Sequence, residues 1–364
     1  MKILLLNWKD HHHPLAGGAE QYTLNILSRL AKRGHEVIWF TSTHTGARPT
    51  SCEQGINFVR VGSYRTVHGK SRAYLRGITS KDKPDVIVDE VNTRPFNPSK
   101  SLQVRIPVVN LIHQLARDVW FEELAWPVAL LGRYVLEDWW LRAISRHPTI
   151  CVSESTAKDL RNLGFRRVGI VHNAVGDYLG QTKDERQIPP LLLFVGRLSR
   201  GKKPKDALEA YRRIREGTSS TMQVVGTGPL EASLKKSYPE VQFLGHVSDE
   251  QLERTFKAAT LLLTPGTREG WGRVVLQAQA HGVVPLVYDI PGLRDAVDYG
   301  RAGVLLSHNS PTSMADAALR LLCSNELIEG IRRDSMEWSK KFNWKVSTDL
   351  FELFLTNVVN GFIT

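Results

Sequence analysis

Short apolar runs recur along the chain, and most are followed by a segment with helical periodicity. After KILLLN at 2–7, Leu24, Leu27 and Leu30 recur at helical spacing, and HEVIWFTS then returns to strand character. Strands that are apolar throughout must be covered on both faces, which is typical of parallel sheets flanked by helices. We therefore expect an α/β protein built on doubly wound parallel sheets.

The alternation is interrupted at 176–190, where GDYLGQTKDERQIPP loses periodicity and gains glycine, proline and charge, which predicts a linker. A chain of 364 residues is long enough for two cores. We expect Rossmann-like domains at 1–175 and 191–345 that face a central cleft, and a C-terminal helix at 346–364 that packs back towards the first domain. The further candidate strands of the first domain lie at 85–90, 107–112, 149–153 and 169–173.

Charge and composition narrow the class of protein. The formal charge of +11 indicates a preference for anions such as nucleotides, nucleic acid or an acidic membrane surface. Three well-separated cysteines do not suit a disulfide framework and favour a reducing compartment. The first apolar run is too short for a signal peptide, and no stretch reaches the roughly 18 apolar residues of a membrane span. We expect a cytoplasmic protein.

Several strand-to-helix turns could bind an anion. Gly17 and Gly18 precede the first helix, where free N–H groups and the helix dipole favour negative charge, although glycine also serves ordinary turns. Arg197 and Lys202 follow a buried strand, a position where two cations can bind a diphosphate; a solvated basic helix face is the alternative. A lone Gly-x-Gly at 226–228 is interpreted as a tight turn.

The turn within 261–287, LLLTPGTREGWGRVVLQAQAHGVVPLV, resembles a family signature. The retaining nucleotide-sugar glycosyltransferases of family four, which have the GT-B fold, carry Glu, seven residues, Glu, with the first acid in a Glu-Gly-Phe-Gly turn. Other segments of this chain are similar to that family in the same order: GGAE, VSESTAKDLRNLG, VHNAV, VGRL, VVGTGPL and VQFLGHVSDEQL. The resemblance covers nearly the whole chain.

The resemblance implies a role for each matching residue. Gly17, Gly18, Arg197 and Lys202 would contact the donor diphosphate. Glu269 and His113 would be the catalytic-site residues, with Glu269 holding hydroxyls of the transferred sugar and His113 lying over it. The sugar pocket would be lined by Gly270, Trp271 and Gly272, and the nucleotide ribose would meet Gln277. For His113, a loop histidine bonded to backbone is the alternative.

Two positions depart from the family pattern. Gln277 stands where the family has its second glutamate, and an amide can still accept a hydrogen bond from a ribose hydroxyl, although more weakly. Trp271 stands where phenylalanine is usual, and its bulk is expected to narrow the donor pocket.

The resemblance implies a retaining hexosyltransferase that uses a UDP- or GDP-sugar as its donor substrate and needs no other cofactor. No Asp-x-Asp triplet occurs in the sequence, so we expect Arg197 and Lys202 to stand in for a divalent ion and the reaction to be metal-independent. The consecutive residues His11, His12 and His13 cannot easily all face one ion, and we expect no metal site there. In that loop the glycines are expected to be the functional part.

The acceptor is expected to be a glycan or a lipid-linked glycan. Tryptophans and arginines interleave in the segment 115–146, which suits an anionic membrane surface; helices packed with their tryptophans inward are the alternative.

We expect no nucleic-acid partner, because the cations cluster at phosphate-binding turns and no aromatic and basic RNA motif is present. The alternatives on this architecture are a nucleotide-sugar epimerase, a phosphorylase, which fits poorly in a chain of this length, a basic nucleic-acid-binding protein, or a catalytically degenerate relative.

Overall fold

Parallel sheets form the centre of both halves of the chain, as the apolar runs predict. The computed structural model describes residues 1–176, 186 and 188–363, so most of the linker predicted at 176–190 lies outside the described residues. The chain divides into two units. The first unit comprises Met1–Arg117, Leu130–Asn173 and the segment that begins at Trp344; the second comprises Asp118–Ala129 and Ala174–Asn343.

The first unit contains an eight-stranded sheet. Its strands are β1 Lys2–Leu6, β2 Glu36–Thr41, β3 Thr50–Glu53, β4 Ile56–Arg60, β5 Val86–Glu90, β6 Val108–Ile112, β7 Thr149–Cys151 and β8 Val168–Ile170. They lie in the order β3-β4-β2-β1-β5-β6-β7-β8, and the described pairs are parallel except β3 with β4. Strands β5 and β6 are buried along their whole length, which explains why most of their residues are apolar.

The second unit contains a six-stranded sheet. Its strands are β9 Leu191–Val195, β10 Thr221–Val225, β11 Gln242–Gly245, β12 Leu261–Thr264, β13 Val284–Val287 and β14 Val304–Leu305. Within the described ranges all pairs are parallel, in the order β11-β10-β9-β12-β13-β14. The central strands β9 and β12 are neighbours, so the loops that follow them meet at one edge of the sheet.

Helices follow most of the strands. In chain order they are α1 Gly18–Lys32, α2 Val67–Arg76, α3 Val119–Glu123, α4 Trp126–Leu131, α5 Glu137–Ile144, α6 Glu154–Asn162, α7 Pro204–Gly217, α8 Glu231–Ser237, α9 Asp249–Ala258, α10 Arg273–Ala280, α11 Leu293–Ala296, α12 Pro311–Leu322, α13 Asn325–Ser339 and α14 Trp344–Val359. Among the described residues, no helix combines the length and the apolar character that a membrane crossing requires.

Helix α14 belongs to the first unit, where it packs against α1. Arg33, which follows the last residue of α1, donates a hydrogen bond to Asp349 of α14 at 2.5 Å. The rings of Tyr22 and Trp344 lie with their centroids 6.0 Å apart. The helix begins two residues before the predicted segment 346–364, and its aromatic first residue fixes it on α1.

Glycines let the strand-end loops of the second unit touch backbone to backbone. A methyl group on Gly226, after β10, would lie 2.1 Å from the carbonyl oxygen of Gly196, after β9. A methyl group on Gly228 would lie 2.5 Å from the carbonyl oxygen of Leu198. The Gly-x-Gly at 226–228, predicted as a tight turn, is therefore also where the loop after β10 contacts the loop after β9. A larger residue at either glycine would force the two loops apart.

A third glycine contact fixes the loop that carries Glu269. Gly292 has φ +83°, and a methyl group there would lie 2.2 Å from the carbonyl oxygen of Glu269. That oxygen belongs to the main chain, so it cannot turn away as a flexible side chain could. Gly292 thus holds the Glu269 loop in position after β12.

We expect Gly292→Ala to destabilise the second unit by about 2–4 kcal/mol, because positive-φ strain and a backbone clash act together. Gly245→Ala is the matched control: its φ is +68°, but nothing lies within 4 Å of the added methyl group. Strain alone should cost about 1 kcal/mol there. Urea denaturation measures both variants. Equal losses of unfolding free energy would show that the contact with the Glu269 loop contributes nothing.

Candidate functional site

Lys202 and Glu269 form an ion pair at the carboxyl edge of the second sheet. Lys202 ends a short turn after β9, and Glu269 lies in the loop after β12. Lys202 Nζ donates a hydrogen bond to Glu269 Oε2, and both side chains remain partly exposed. The two loops are joined by their main chains, because the Thr267 N–H donates to the Gly201 carbonyl oxygen at 2.9 Å. Backbone contact thus fixes the separation of two residues that lie 67 positions apart.

Arg197 lies in the same loop as Lys202, five residues earlier, and its side chain is exposed. Its loop is held by the Leu198 N–H, which donates to the Thr227 carbonyl oxygen at 2.9 Å. Among the described residues Arg197 has no carboxylate partner, so its charge stays available to an anionic ligand. Arg197 and Lys202 thus lie in one loop, and of these two cations only Lys202 pairs with the Glu269 carboxylate.

The segment from Glu269 to Gly272 leads directly into α10. Gly272 has φ +79° and is the residue immediately before the helix, so the chain turns sharply there. The Trp271 side chain is buried, and its ring contacts Phe342 with centroids 4.9 Å apart. The extra bulk expected to narrow a donor pocket therefore packs into the core of the second unit. What Trp271 can offer a ligand is its backbone, together with that of Gly270.

Gln277 is on α10, one turn after Arg273, and is half-buried. Its main-chain carbonyl oxygen lies 2.8 Å from His281 Nδ1. Within the described ranges no hydrogen bond is formed by its side-chain amide, whereas that of Gln279 donates to two buried carbonyl oxygens. The Gln279 amide therefore stabilises the core, whereas the Gln277 amide forms no such bond within the described ranges.

In the first unit, Gly17 and Gly18 lie at the start of α1, as predicted. The Gly17 N–H donates to Glu20 Oε2 at 2.7 Å. Glu20 is fully buried and also pairs with Lys9, whose Nζ lies 3.3 Å from Glu20 Oε1. The Gly17 amide is therefore already satisfied by this chain, while the backbone at Gly18 has open space beside it.

His113 follows β6 and contacts a carboxylate instead of backbone. Its Nε2 lies 3.0 Å from Glu90 Oε1, at the end of β5, and its ring meets that of Tyr22 edge-on at 5.2 Å. Burial raises the pKa of Glu90 above its usual range, while the hydrogen bond from His113 acts in the opposite direction. The imidazole is thereby fixed in orientation, because an aromatic ring and a buried acid hold it on two sides.

Glu20 and Glu90 are functional candidates that the sequence analysis missed. Glu90 ends the run DVIVDE. An acid at the carboxyl end of a buried strand is a signal for a site residue, because ligands of parallel sheets bind at those strand ends. Glu20 is the acid of the GGAE segment, two residues after the glycines. Both carboxylates are fully buried at the carboxyl edge of the first sheet.

The group of residues best placed to hold a metal is not at Lys202 and Glu269. Among the described residues, His11, His12 and Glu53 form the one set of three whose possible ligand atoms all lie within 4.8 Å of one another. They belong to the first unit. The expectation that no ion binds the histidine loop treated the three histidines as one set, whereas the fold brings two of them to a residue of β3.

Two family models match consecutive parts of the chain. Glycosyltransferase Family 4 matches residues 16–177, and Glycosyl transferases group 1 matches residues 181–338. A glycogen synthase from Mycobacterium tuberculosis is 23% identical over 396 aligned positions, which cover 98% of this chain and 94% of that protein.

Solved structures share the fold over nearly the full length. A sucrose-phosphate synthase from Thermosynechococcus elongatus superposes with a TM-score of 0.81 at 18% identity, covering 99% of each chain. The Anabaena protein HepE, solved in complex with UDP and glucose, superposes with a TM-score of 0.71 at 17% identity, covering 98% of this chain and 100% of that one. With its two parallel-sheet units and both family matches, the chain belongs to the family-four-like glycosyltransferases of the GT-B fold.

Proposed function

We propose that this glycosyltransferase moves a hexose from a UDP- or GDP-sugar to a hydroxyl of a glycan or lipid-linked acceptor, with retention and without a metal ion in the reaction. The observation that carries the proposal is the contact of Lys202 Nζ with Glu269 Oε2. This contact supports the proposal because it brings a cation and a carboxylate side by side. A nucleotide sugar needs these two groups at neighbouring positions.

The cations act on the leaving group. When the bond between the anomeric carbon and the diphosphate oxygen breaks, negative charge grows on the diphosphate and positive charge on the sugar ring. Fixed positive charge at the diphosphate lowers the energy of that transition state. Arg197 is exposed and without a carboxylate partner among the described residues, and Lys202 is tied to Glu269, so both are placed to supply it.

The remaining residues are assigned to other parts of the same donor molecule. Glu269 accepts hydrogen bonds from sugar hydroxyls, the backbone of Gly270 to Gly272 lines the sugar, and the Gln277 amide meets the ribose. Gly18 and His113 keep the donor contacts that the resemblance implies, whereas the N–H of Gly17 is already bonded to Glu20. The acceptor oxygen forms its bond on the face that the diphosphate leaves, and its proton passes to a phosphate oxygen of that leaving group.

The similar proteins support this choice of substrates. HepE was solved with UDP and glucose, which favours a UDP-sugar as the first donor to try. The relative named glycogen synthase acts on a glycan by its name, which favours a glycan acceptor.

A surface of the first unit supports the lipid-linked alternative for the acceptor. Four apolar or aromatic residues recur there at helical spacing and are 51–64% exposed: Leu131, Tyr134, Val135 and Trp139. Their side chains therefore face outward, unlike in the alternative where the helices pack with their tryptophans inward. We name these four residues the 131–139 face. Arg142 and Arg146 follow it, both exposed and without a carboxylate partner in the described part of the chain. Aromatic and basic residues together suit an anionic membrane surface.

Glu269→Gln tests the donor site. Because the carboxylate neutralises Lys202, its removal should tighten binding of the free nucleoside diphosphate about 3- to 10-fold. Turnover of the nucleotide sugar should fall by roughly two orders of magnitude, since a charge-assisted hydrogen bond to the sugar is lost. A thermal-shift screen of UDP-, GDP-, ADP- and dTDP-sugars selects the donor, and calorimetry and a hydrolysis assay measure the two effects.

The matched control is Glu209→Gln, which removes the partner of Lys205 on the exposed surface of α7, where the two groups lie 3.4 Å apart. This variant should change neither the affinity for the free nucleoside diphosphate nor the turnover of the nucleotide sugar. Unchanged turnover in Glu269→Gln would remove the assignment of the sugar site, and would favour a relative that binds without catalysing.

Gln277→Glu should leave turnover unchanged or raise it, because a carboxylate is a stronger acceptor for a ribose hydroxyl than an amide. The measurement is kcat/KM for the selected donor. A loss of tenfold or more would contradict the ribose contact.

The membrane contact is tested by flotation with anionic liposomes at low salt. The double variant Tyr134→Ser, Trp139→Ser should reduce the bound fraction about tenfold or more, because two aromatic anchors are removed. Phe362→Ser, an aromatic residue of the same unit that is 79% exposed, serves as the control and should float like the wild type. Failure of the wild type to float would exclude the anionic membrane surface.

A further inference from the structure

The histidine loop and strand β3 bring three metal-ligating side chains together. His11 Nε2 lies 3.2 Å from Glu53 Oε1, and His12 Nε2 lies 2.8 Å from Glu53 Oε2. The two imidazole rings are neighbours, with centroids 3.9 Å apart. Two Nε2 atoms therefore point at one carboxylate that is more than 40 positions away in the sequence.

The residues around His11 and His12 hold this loop in place. The His11 side chain is only 7% exposed, and its ring packs against Phe58 at 5.5 Å. The preceding Asp10 is fully buried and accepts a hydrogen bond from Arg60 Nε at 2.5 Å. The loop is thus anchored to β4 beside the cluster, while His12 is half exposed and can adjust to a ligand.

The other candidate ligands nearby face elsewhere. His13 contacts the rings of Trp8 and His44, at 5.2 and 5.8 Å, and its Nδ1 accepts a hydrogen bond from the Leu15 N–H. Cys52 precedes Glu53 on β3, so the pleat of the strand directs its side chain to the opposite face. The structure therefore selects two of the three histidines and leaves the thiol out.

We propose that His11, His12 and Glu53 bind a divalent transition-metal ion, Zn²⁺ above all, as a structural clamp. Two imidazole nitrogens and a carboxylate oxygen are ligands that Zn²⁺ binds at about 2.0–2.2 Å, and water completes the tetrahedral set. The ion would tie the loop that precedes Gly17 and Gly18 to β3. The proposed metal ligands include none of the residues assigned to the donor.

The test is a Zn²⁺ titration of the full chain, free of any affinity tag, in competition with a chromophoric chelator. We expect one equivalent bound with a dissociation constant in the micromolar range or tighter. Glu53→Gln and His12→Ala should each weaken binding at least tenfold, and Zn²⁺ should raise the Tm of the wild type but not of these variants. Partly exposed positions are chosen because truncation of the buried His11 could impair folding.

Two controls separate this site from other sources of Zn²⁺ affinity. His13→Ala and Cys52→Ser should bind Zn²⁺ like the wild type, and X-ray absorption should show nitrogen and oxygen ligands without sulfur. If His13→Ala weakens binding as much as His12→Ala, the affinity comes from a mobile histidine run and the proposal fails. Loss of binding in Cys52→Ser, or no stoichiometric binding by the wild type, would also overturn it.

Discussion

The second unit depends on close contact between the main chains of loops that follow neighbouring strands. The Thr267 N–H donates to the Gly201 carbonyl oxygen, which joins the loop after β12 to the loop after β9. Gly292 lies against the Glu269 carbonyl oxygen from a third loop. The contact at Gly292 leaves no room for a side chain, so that glycine helps to fix the loop in which Glu269 meets Lys202. A fixed arrangement of charge is what transition-state stabilisation requires, because the site then need not reorganise.

The first unit orients its polar groups by burying carboxylates. Glu20 and Glu90 are both fully buried at the carboxyl edge of the sheet, and each is paired: Glu20 with the Gly17 N–H and Lys9, Glu90 with His113. Burial of a charge without a partner would be strongly unfavourable, so each acid and its partner constrain one another. The first unit thus relies on charge pairs where the second relies on backbone contacts.

The sequence predicts the parts of the structure that are determined locally. The candidate strands at 85–90 and 107–112 match β5 and β6 within one residue, because a strand buried on both faces is mostly apolar and so stands out in the sequence. Lys202 and Glu269 were predicted from a family resemblance, and they do meet. The strand predictions rest on short, continuous segments, and the pair of Lys202 and Glu269 rests on motifs that occur in the family's order.

Contacts between distant segments leave no such local signal. Glu53 lies 41 positions after His12, in a strand of ordinary sequence, so the histidine run alone does not reveal that His11 and His12 contact it. Gly292 in IPGLRD reads as a common turn, although its hydrogen faces the Glu269 backbone. Trp139 could equally have been a core residue, because its helix carries apolar residues on more than one face.

The central claim is that Lys202 and Glu269 act on one donor molecule as a unit. It is tested most directly by a double-mutant cycle of Lys202→Ala and Glu269→Gln, read in kcat/KM for the donor. The account predicts strong coupling, so that the double variant loses far less than the product of the two single losses. Losses that simply multiply would contradict it, because they would mean that the two side chains serve the reaction independently.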